Sequence, residues 1–446
     1  MPRRIVVVGG GAAGMSAASA ARRTDPEADI TVLESGPFPS YGVCGLPYYL
    51  SGVVESAESL VAYPASEFRD RRRIDLRLEA PVESIDLAGG VVVETGGDRH
   101  RYDALVVALG AAPIVPPIPG ADDPRVVVVR RLEDAIELRS RLDGVSSAAI
   151  VGAGYVGLEM AESLHARGID VTVVDRLPRV MTTVDPVVAD LVEAEVRRHC
   201  RLLLDAALES IEPAGSGGVA APGLRLTCGE QTLDVDLAVL ALGVRPSTAL
   251  VPSLQALPNG ALLVDERMRT SDPRVFAAGD CIAVHHRVLD GPAYVPLGPA
   301  ANKTGRTAGT VAAGGDARFG GVVGTAVVKV FDLTVAHTGL TLEEARGRGM
   351  PAEATDVTAK SRAKYYPGAE PILVRLVHEP GGRLLGAQMA GRDGVAQRID
   401  VIATALQARM GVGDLLGLDL AYAPPYSPVY DPLIQAAQAV RVKERA

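Results

Sequence analysis

The 446-residue chain has no tryptophan, five phenylalanines and only four cysteines, at positions 44, 200, 228 and 281. These cysteines form no CxxC pair and follow no regular spacing, which excludes a disulfide framework of the secreted kind and a cysteine-built structural zinc site. Each is then either inert or reactive. Basic charge is also short: 45 Lys and Arg stand against 54 Asp and Glu, a net −9, so no broad positive field exists to hold nucleic acid or an anionic membrane surface. Long apolar runs are missing too. Each is broken by Pro, Gly or charge before the ~20 residues that a membrane span needs, and the opening MPRRIVVVGGG enters a strand at once, without an apolar leader. A cytoplasmic protein is expected, with neither nucleic acid nor membrane as a partner. What the chain has in quantity is glycine, 48 residues, within a composition 48% hydrophobic and 22% charged, which is that of a globular protein. Several domains are expected, since single cores seldom grow past ~250 residues.

The strongest local pattern is RRIVVVGGGAAGMSAASAARRTDPEADITVLE, residues 3–34. A β-branched run feeds Gly9-x-Gly11-x-x-Gly14, a small-residue helix follows, and a second strand ends at Glu34. This is the order of a βαβ dinucleotide unit: the glycines admit a tight turn, the helix N-terminus meets a pyrophosphate, and the acid holds ribose hydroxyls. Residues 147–176 repeat the arrangement with Gly152-x-Gly154-x-x-Gly157 and Asp175. Two complete units imply two dinucleotides, unless one survives only as scaffold. The near twins YDALVVALGAAP (102–113) and DLAVLALGVRPS (236–247) read as crossovers between them. DPRVFAAGDC (272–281) reads as a strand ending at Asp280, whose carboxylate either meets a cofactor polyol or only shapes a turn. Beyond about residue 322 no third glycine pattern follows, and a separate C-terminal domain is expected.

Over nearly its full length the chain resembles the flavin-dependent pyridine nucleotide-disulfide oxidoreductases. The resemblance rests on the two ordered glycine patterns, the Leu-Gly crossovers and the FAAGD segment. It implies an α/β fold of two Rossmann-like dinucleotide-binding domains and a C-terminal α+β dimerisation domain. The expected divisions are 1–112 with 245–322 for FAD, 113–244 for NAD(P)H and 323–446 for dimerisation. FAD would lie on Gly9, Gly11, Gly14 and Gly110, with Glu34 at its ribose and Asp280 at its ribityl chain; the nicotinamide nucleotide would lie on Gly152, Gly154, Gly157 and Asp175. A homodimer is implied.

The stretch FPSYGVCGLPYYLSG, residues 38–52, then acquires meaning. Relatives such as glutathione reductase have a CxxxxC pair there, whereas this chain reads Ser40-x-x-x-Cys44. A lone thiol cannot close an internal disulfide, so it would cycle through a sulfenic acid or a mixed disulfide with a small thiol. A helix starting after Cys44 would favour its thiolate. The alternative, a structural buried thiol, is the reading adopted for Cys200, Cys228 and Cys281. Single-cysteine members of the family include coenzyme A-disulfide reductases, NADH-dependent persulfide reductases, and NADH peroxidases and oxidases. The peroxidases and some oxidases place a histidine in the first glycine turn, where this chain has Ala12, which argues against peroxide.

AKYYPGAE and LAYAPPYSPVY resemble segments of coenzyme A-disulfide reductases in which a tyrosine from each reaches the cysteine of the other subunit. Tyr366 or Tyr365, and Tyr426, are the candidates; without the resemblance, such tyrosines read as interface packing. By the same resemblance Ser40 lies near the cysteine and Arg23 and Arg72 line a phosphate region, with Arg22 beside them; otherwise these arginines are a solvated face. No rhodanese-like stretch is seen, so a persulfide would arrive from outside. The adjacent His285 and His286 read as surface residues, and no metal is expected. The expected activity is NAD(P)H-driven reduction, through FAD, of coenzyme A disulfide or a related persulfide, with coenzyme A held on Cys44 as a mixed disulfide. The alternatives are an NADH oxidase using a Cys44 sulfenic acid and a reductase that needs no thiol. Asp175 favours NADH over NADPH, tempered by Arg176.

Overall fold

The computed structural model describes residues 1–214 and 223–443. The run IVVV is apolar on both faces and therefore belongs inside a covered parallel sheet. Arg4–Val8 is indeed the central strand of five, in the order Val275–Ala277, Ala104–Val107, Arg4–Val8, Asp29–Leu33, Asp75–Arg77, all parallel. Gly9 leaves the strand at φ +105°, and a Cβ there would stand 2.2 Å from the Ala108 carbonyl oxygen, so the turn requires glycine. The helix Ala12–Thr24 follows and buries Ala17, Ala18, Ala20 and Ala21.

The second glycine pattern rebuilds this layout. Its sheet runs Arg201–Leu203, Asp170–Val174, Ser147–Val151, Leu237–Leu240, Val126–Val127, again all parallel, with the helix Tyr155–His165 leaving the central strand. The two Leu-Gly crossovers do more than connect the units. Ala111–Pro113 and Val244–Pro246 pair with each other antiparallel, Arg245 opposite Ala112. Strand Val275–Ala277 then returns the chain to the first sheet. It stops three residues before Asp280 rather than at it, because Gly279 turns the backbone at φ +82°.

The C-terminal part is a five-stranded antiparallel sheet, Ala326–Val330, Leu333–Gly339, Leu384–Gly391, Pro371–His378 and Glu353–Lys360. Every residue of its central strand Leu384–Gly391 is buried. Leu46, Tyr49 and Leu50 of the short helix after Cys44 share one core with Leu158 and Ala161 of the second unit and with Phe331 of the C-terminal sheet. At about 1.5–3 kcal/mol for each fully buried leucine, this wedge fixes the cysteine segment between the two parts.

Asp185, just before the helix Pro186–His199, bolts the second unit to the C-terminal sheet. It is 2% exposed, and its Oδ2 accepts from Arg375 Nε at 2.8 Å and from Gln388 Nε2 at 2.7 Å. Its own amide donates to Gln388 Oε1 at 2.7 Å, while Arg375 also donates to Asp356. His286 departs from the surface position expected of it: it is 4% exposed, and burial holds its pKa down to about 4. No helix among the described residues is long and apolar enough to cross a membrane. Replacing Asp185 with Ala leaves the buried Arg375 only its bonds to Asp356 and takes the shared partner from Gln388, and the expected cost is about 2–3 kcal/mol. Urea unfolding curves check this; a loss below ~1 kcal/mol would contradict it.

Candidate functional site

A cavity of about 960 Å³ opens along the carboxyl ends of the first parallel sheet. Its volume lies at the upper end of the ~300–1,000 Å³ typical of ligand pockets, and sheet ends are where open α/β folds bind nucleotides. One end holds the first glycine turn. A Cβ built on Gly11 meets nothing within 4 Å, so a ligand's phosphate can approach backbone amides at the helix N-terminus there. Glu34 stands beside the turn. Its carboxylate accepts from the amides of Gly10 and of Gly36, and it still faces the cavity with lone pairs to offer. Gly14 has no such freedom, since its Cβ would fall 1.7 Å from the Gly9 carbonyl oxygen; it serves helix-on-strand packing. Gly110 and Asp280 line the opposite part of the cavity.

Asp280 is joined there by Arg130, whose Nη2 donates to Asp280 Oδ2 at 2.9 Å and whose Nε donates to the Ala111 carbonyl at 3.1 Å. Arg130 did not stand out in the sequence, because VVVVRRLEDA gives it the look of a helix-flanking arginine. Near this end the Tyr294 hydroxyl is buried without a hydrogen-bond partner, and Asp280, its neighbour in the field, helps burial to push its pKa to about 12. An open amide-rich turn, a carboxylate at each end and a stranded hydroxyl fit an extended dinucleotide.

Cys44 lines the same cavity, together with Ser40. The segment carrying them is tied to the glycine turn itself: Ser40 N donates to Gly10 O at 2.9 Å, and Gly42 N to Leu60 O at 2.8 Å. Ser40 adopts φ +50°, a conformation that costs a non-glycine residue on the order of 1 kcal/mol. Cys44 lies in the tight turn Val43–Gly45, and the helix that follows, Leu46–Ser51, has only six residues. Cys44 is exposed, whereas Cys200, Cys228 and Cys281 are buried.

The electrostatics of that thiol differ from expectation. The cavity wall strips enough water from the sulfur to raise its pKa above the ordinary thiol value, and the carboxylates of Glu159 and Asp280 add to this. Arg130 and the cysteine's own amide pull the other way without prevailing. A six-residue helix supplies too little dipole to outweigh desolvation and two anions.

In the second unit the Asp175 carboxylate accepts from Ala153 N at 2.7 Å and from Leu177 N at 2.9 Å, repeating what Glu34 does in the first. Gly154 is open like Gly11, and Gly157 is closed like Gly14, with its Cβ position 1.9 Å from Gly152 O. The family model for pyridine nucleotide-disulphide oxidoreductases matches residues 3–305, and that for their dimerisation domain matches 325–433.

This chain belongs to the pyridine nucleotide-disulphide oxidoreductase family.

It is 38% identical over 448 residues to the NAD(P)H coenzyme A polysulfide/persulfide reductase of Pyrococcus horikoshii, covering 99% of each chain. It is 33% identical to an NADH oxidase of Methanocaldococcus jannaschii, covering 94% of each. Among solved structures, an NAD-dependent persulfide reductase from A. fulgidus superposes with a TM-score of 0.94 at 38% identity, covering 99% of this chain and 84% of that one.

The other expected residues of this oxidoreductase lie outside the cavity within one chain. Tyr365 is 75% exposed, Tyr426 78% and Tyr366 37%, on the C-terminal part. Arg22 is a brace, not a free cation: it donates to the carbonyls of Pro26, Ala28, Arg72 and Arg73. Arg72 donates to Ser19 Oγ at 2.8 Å and to Glu67, with its guanidinium 4.7 Å from the Tyr63 ring centre. Arg23 is exposed. One trio of potential metal ligands, Glu195, His199 and Asp332, occurs among the described residues, but Glu195 already pairs with Arg198 and Arg392.

Proposed function

We propose that this chain is an NAD(P)H-dependent flavoprotein that reduces coenzyme A disulfide or a related persulfide through Cys44. The observation that carries this reading is the placement of a lone exposed thiol on the wall of a dinucleotide-sized cavity, while the other three cysteines are buried. FAD would lie in that cavity against Gly9, Gly11 and Gly110, between Glu34 and Asp280, with Gly14 holding the helix to its strand behind it, in a domain of residues 1–112 and 245–322. When bound, it supplies the relay of two electrons from the nicotinamide nucleotide to sulfur. Residues 113–244 would hold NAD(P)H on the turn of Gly152 and Gly154, with Gly157 packing the helix against the strand. The Asp175 carboxylate suits a ribose 2′-hydroxyl and repels a 2′-phosphate, which favours NADH.

The chain's own residues then divide the sulfur chemistry. Cys44 forms the mixed disulfide with coenzyme A and, once released as thiolate, attacks the next disulfide or persulfide. Arg130 offsets the negative charge that develops on its sulfur. Ser40 sits beside the coenzyme A thiol, and Arg23 and Arg72 supply charge to its phosphates. The exposed tyrosines work in a homodimer: Tyr366 or Tyr365, with Tyr426, reaches the cysteine of the other subunit and gives a proton to the leaving thiolate. Similarity to a coenzyme A persulfide reductase over the full chain supports this reading above the oxidase.

Substituting Cys44 with Ser is expected to cut disulfide-dependent NADH oxidation by roughly a thousandfold or more, while bleaching of the flavin by NADH persists. Oxygen uptake by wild type matching its disulfide turnover would instead establish the oxidase. Asp175→Ala is expected to shift the NADH to NADPH ratio of kcat/KM by about tenfold towards NADPH, a change of ~1.4 kcal/mol; an unchanged ratio would remove Asp175 from coenzyme choice.

A further inference from the structure

The cysteine segment leaves the first unit as a long excursion. Its base is pinned where Gly42 N donates to Leu60 O at 2.8 Å and Ala62 N to Ser40 O at 2.9 Å. Between these points the backbone holds only tight turns and the six-residue helix Leu46–Ser51, and helices under ~12 residues are marginal on their own. The last turn of a helix also leaves carbonyls without amides to meet them, and here Gly52 ends it at φ +91°. Two arginines of the second unit meet these carbonyls. Arg139 Nη1 donates to Tyr49 O at 3.0 Å and to Val54 O at 3.1 Å, on either side of Gly52, and its guanidinium carbon lies 4.3 Å from the centre of the Tyr49 ring. Arg167 donates to Leu50 O at 3.3 Å.

We propose that Arg139 is a positioning residue for Cys44, a clamp from the second unit on the far end of the helix whose near end follows directly on the thiol. The inference rests on Cys44 being the working thiol. A helix of six residues, ~9 Å long at 1.5 Å per residue, shifts as one body, so a movement at Tyr49 is passed to the turn Val43–Gly45 that holds the sulfur. Reacting atoms must approach within ~3–3.5 Å, and a misplacement of about 1 Å costs roughly a hundredfold in rate. Cys44 is therefore held from two sides: the first unit fixes where its segment enters the cavity wall, and Arg139 fixes how the helix behind it lies.

The surroundings of Arg139 suit it to this task better than those of Arg167. It stands half-buried on the helix Leu132–Arg141, whose Leu132, Ala135 and Leu138 are buried in one core with Ile150 and Leu158 of the second unit, so the clamp has a rigid base. Among the described residues it forms no ion pair, and its charge is directed to the two carbonyls and the ring. Hydrogen bonds from an ionised donor are about twice as strong as neutral ones, and the face of a buried tyrosine adds a cation–π attraction. Tyr49 is such a tyrosine, 8% exposed. Arg167 reaches one carbonyl only and shares its charge with Asp143 at 3.7 Å.

The test takes two measurements on the flavin-loaded protein. Amide hydrogen exchange reads the segment itself: Arg139→Ala is expected to speed exchange about tenfold in peptides spanning 43–54, while the strand Arg4–Val8 exchanges as in wild type. Kinetics read the consequence: kcat for disulfide-dependent NADH oxidation is expected to fall roughly ten- to a hundredfold, with the KM for NADH and the anaerobic rate of flavin bleaching by NADH unchanged. Arg139→Lys, which keeps a cation by the Tyr49 ring, should recover most of the lost kcat. Unchanged exchange in 43–54 overturns the proposal, as does an unchanged kcat beside faster exchange. So does a fall in flavin bleaching equal to the fall in kcat with exchange raised throughout, which is the mark of a role in folding alone. Should Arg139→Ala fail to fold, Arg139→Gln, which keeps the stem and one donor, is expected to show the same changes at about threefold, and its coincidence with wild type overturns the proposal. Failure of the functional reading shows in a different protein, as disulfide turnover by Cys44→Ser equal to that of wild type.

Discussion

The helix Gly298–Ala312 lies so close along Ala12–Thr24 that a Cβ on Gly305 would sit 2.2 Å from the Ala13 carbonyl oxygen and one on Gly309 1.9 Å from that of Ala17. Backbone meets backbone at two points one turn apart. This contact requires small residues on both helices, which the alanine-rich first helix and the glycines at 305 and 309 provide. It draws a segment some 290 residues distant in sequence onto the first dinucleotide unit. Asp280, with its short strand Val275–Ala277, comes to the same cavity as Gly11 and Glu34 because of it. Without that closure the cavity would lack its second end.

Around this fixed frame the thiol is placed by compromise. The cysteine segment is anchored to the first unit through Ser40 and Gly10 and is buried by its helix against the second unit and the C-terminal sheet. Such anchoring holds the sulfur at a junction of all three parts, but it also strips water from it and leaves two carboxylates in range. Ionisation of the thiol is then set by burial, Glu159 and Asp280 against Arg130, rather than by a helix terminus.

Much of the frame was legible. Both glycine turns, both acids and the twin crossovers are local patterns set by backbone geometry, and each unit forms where its pattern stands. Cys44 stands exposed in its segment, and the three other cysteines are buried, as their reading as structural thiols expects. What escaped was long-range. Arg130 meets Asp280 across 150 positions, and Asp185 meets Arg375 across 190, with no local signature for either. Glu159 looked like any polar helix residue until its partner helix was known. His286 sits on a strand whose inward side the dipeptide HH does not reveal, and the donors of Arg22 are taken up by a turn that only the fold brings near. The direction of the thiol's pKa was misjudged for the same reason: desolvation is a property of the assembled wall.

The central claim is that Cys44 exchanges disulfides with coenzyme A. Anaerobic titration of the purified protein with NADH, with mass analysis of any thiol set free, tests it most directly when wild type and Cys44→Ser are compared. The account predicts one coenzyme A released per subunit from wild type and none from the variant. Release of no thiol from wild type on full reduction, or equal release from both proteins, would contradict it.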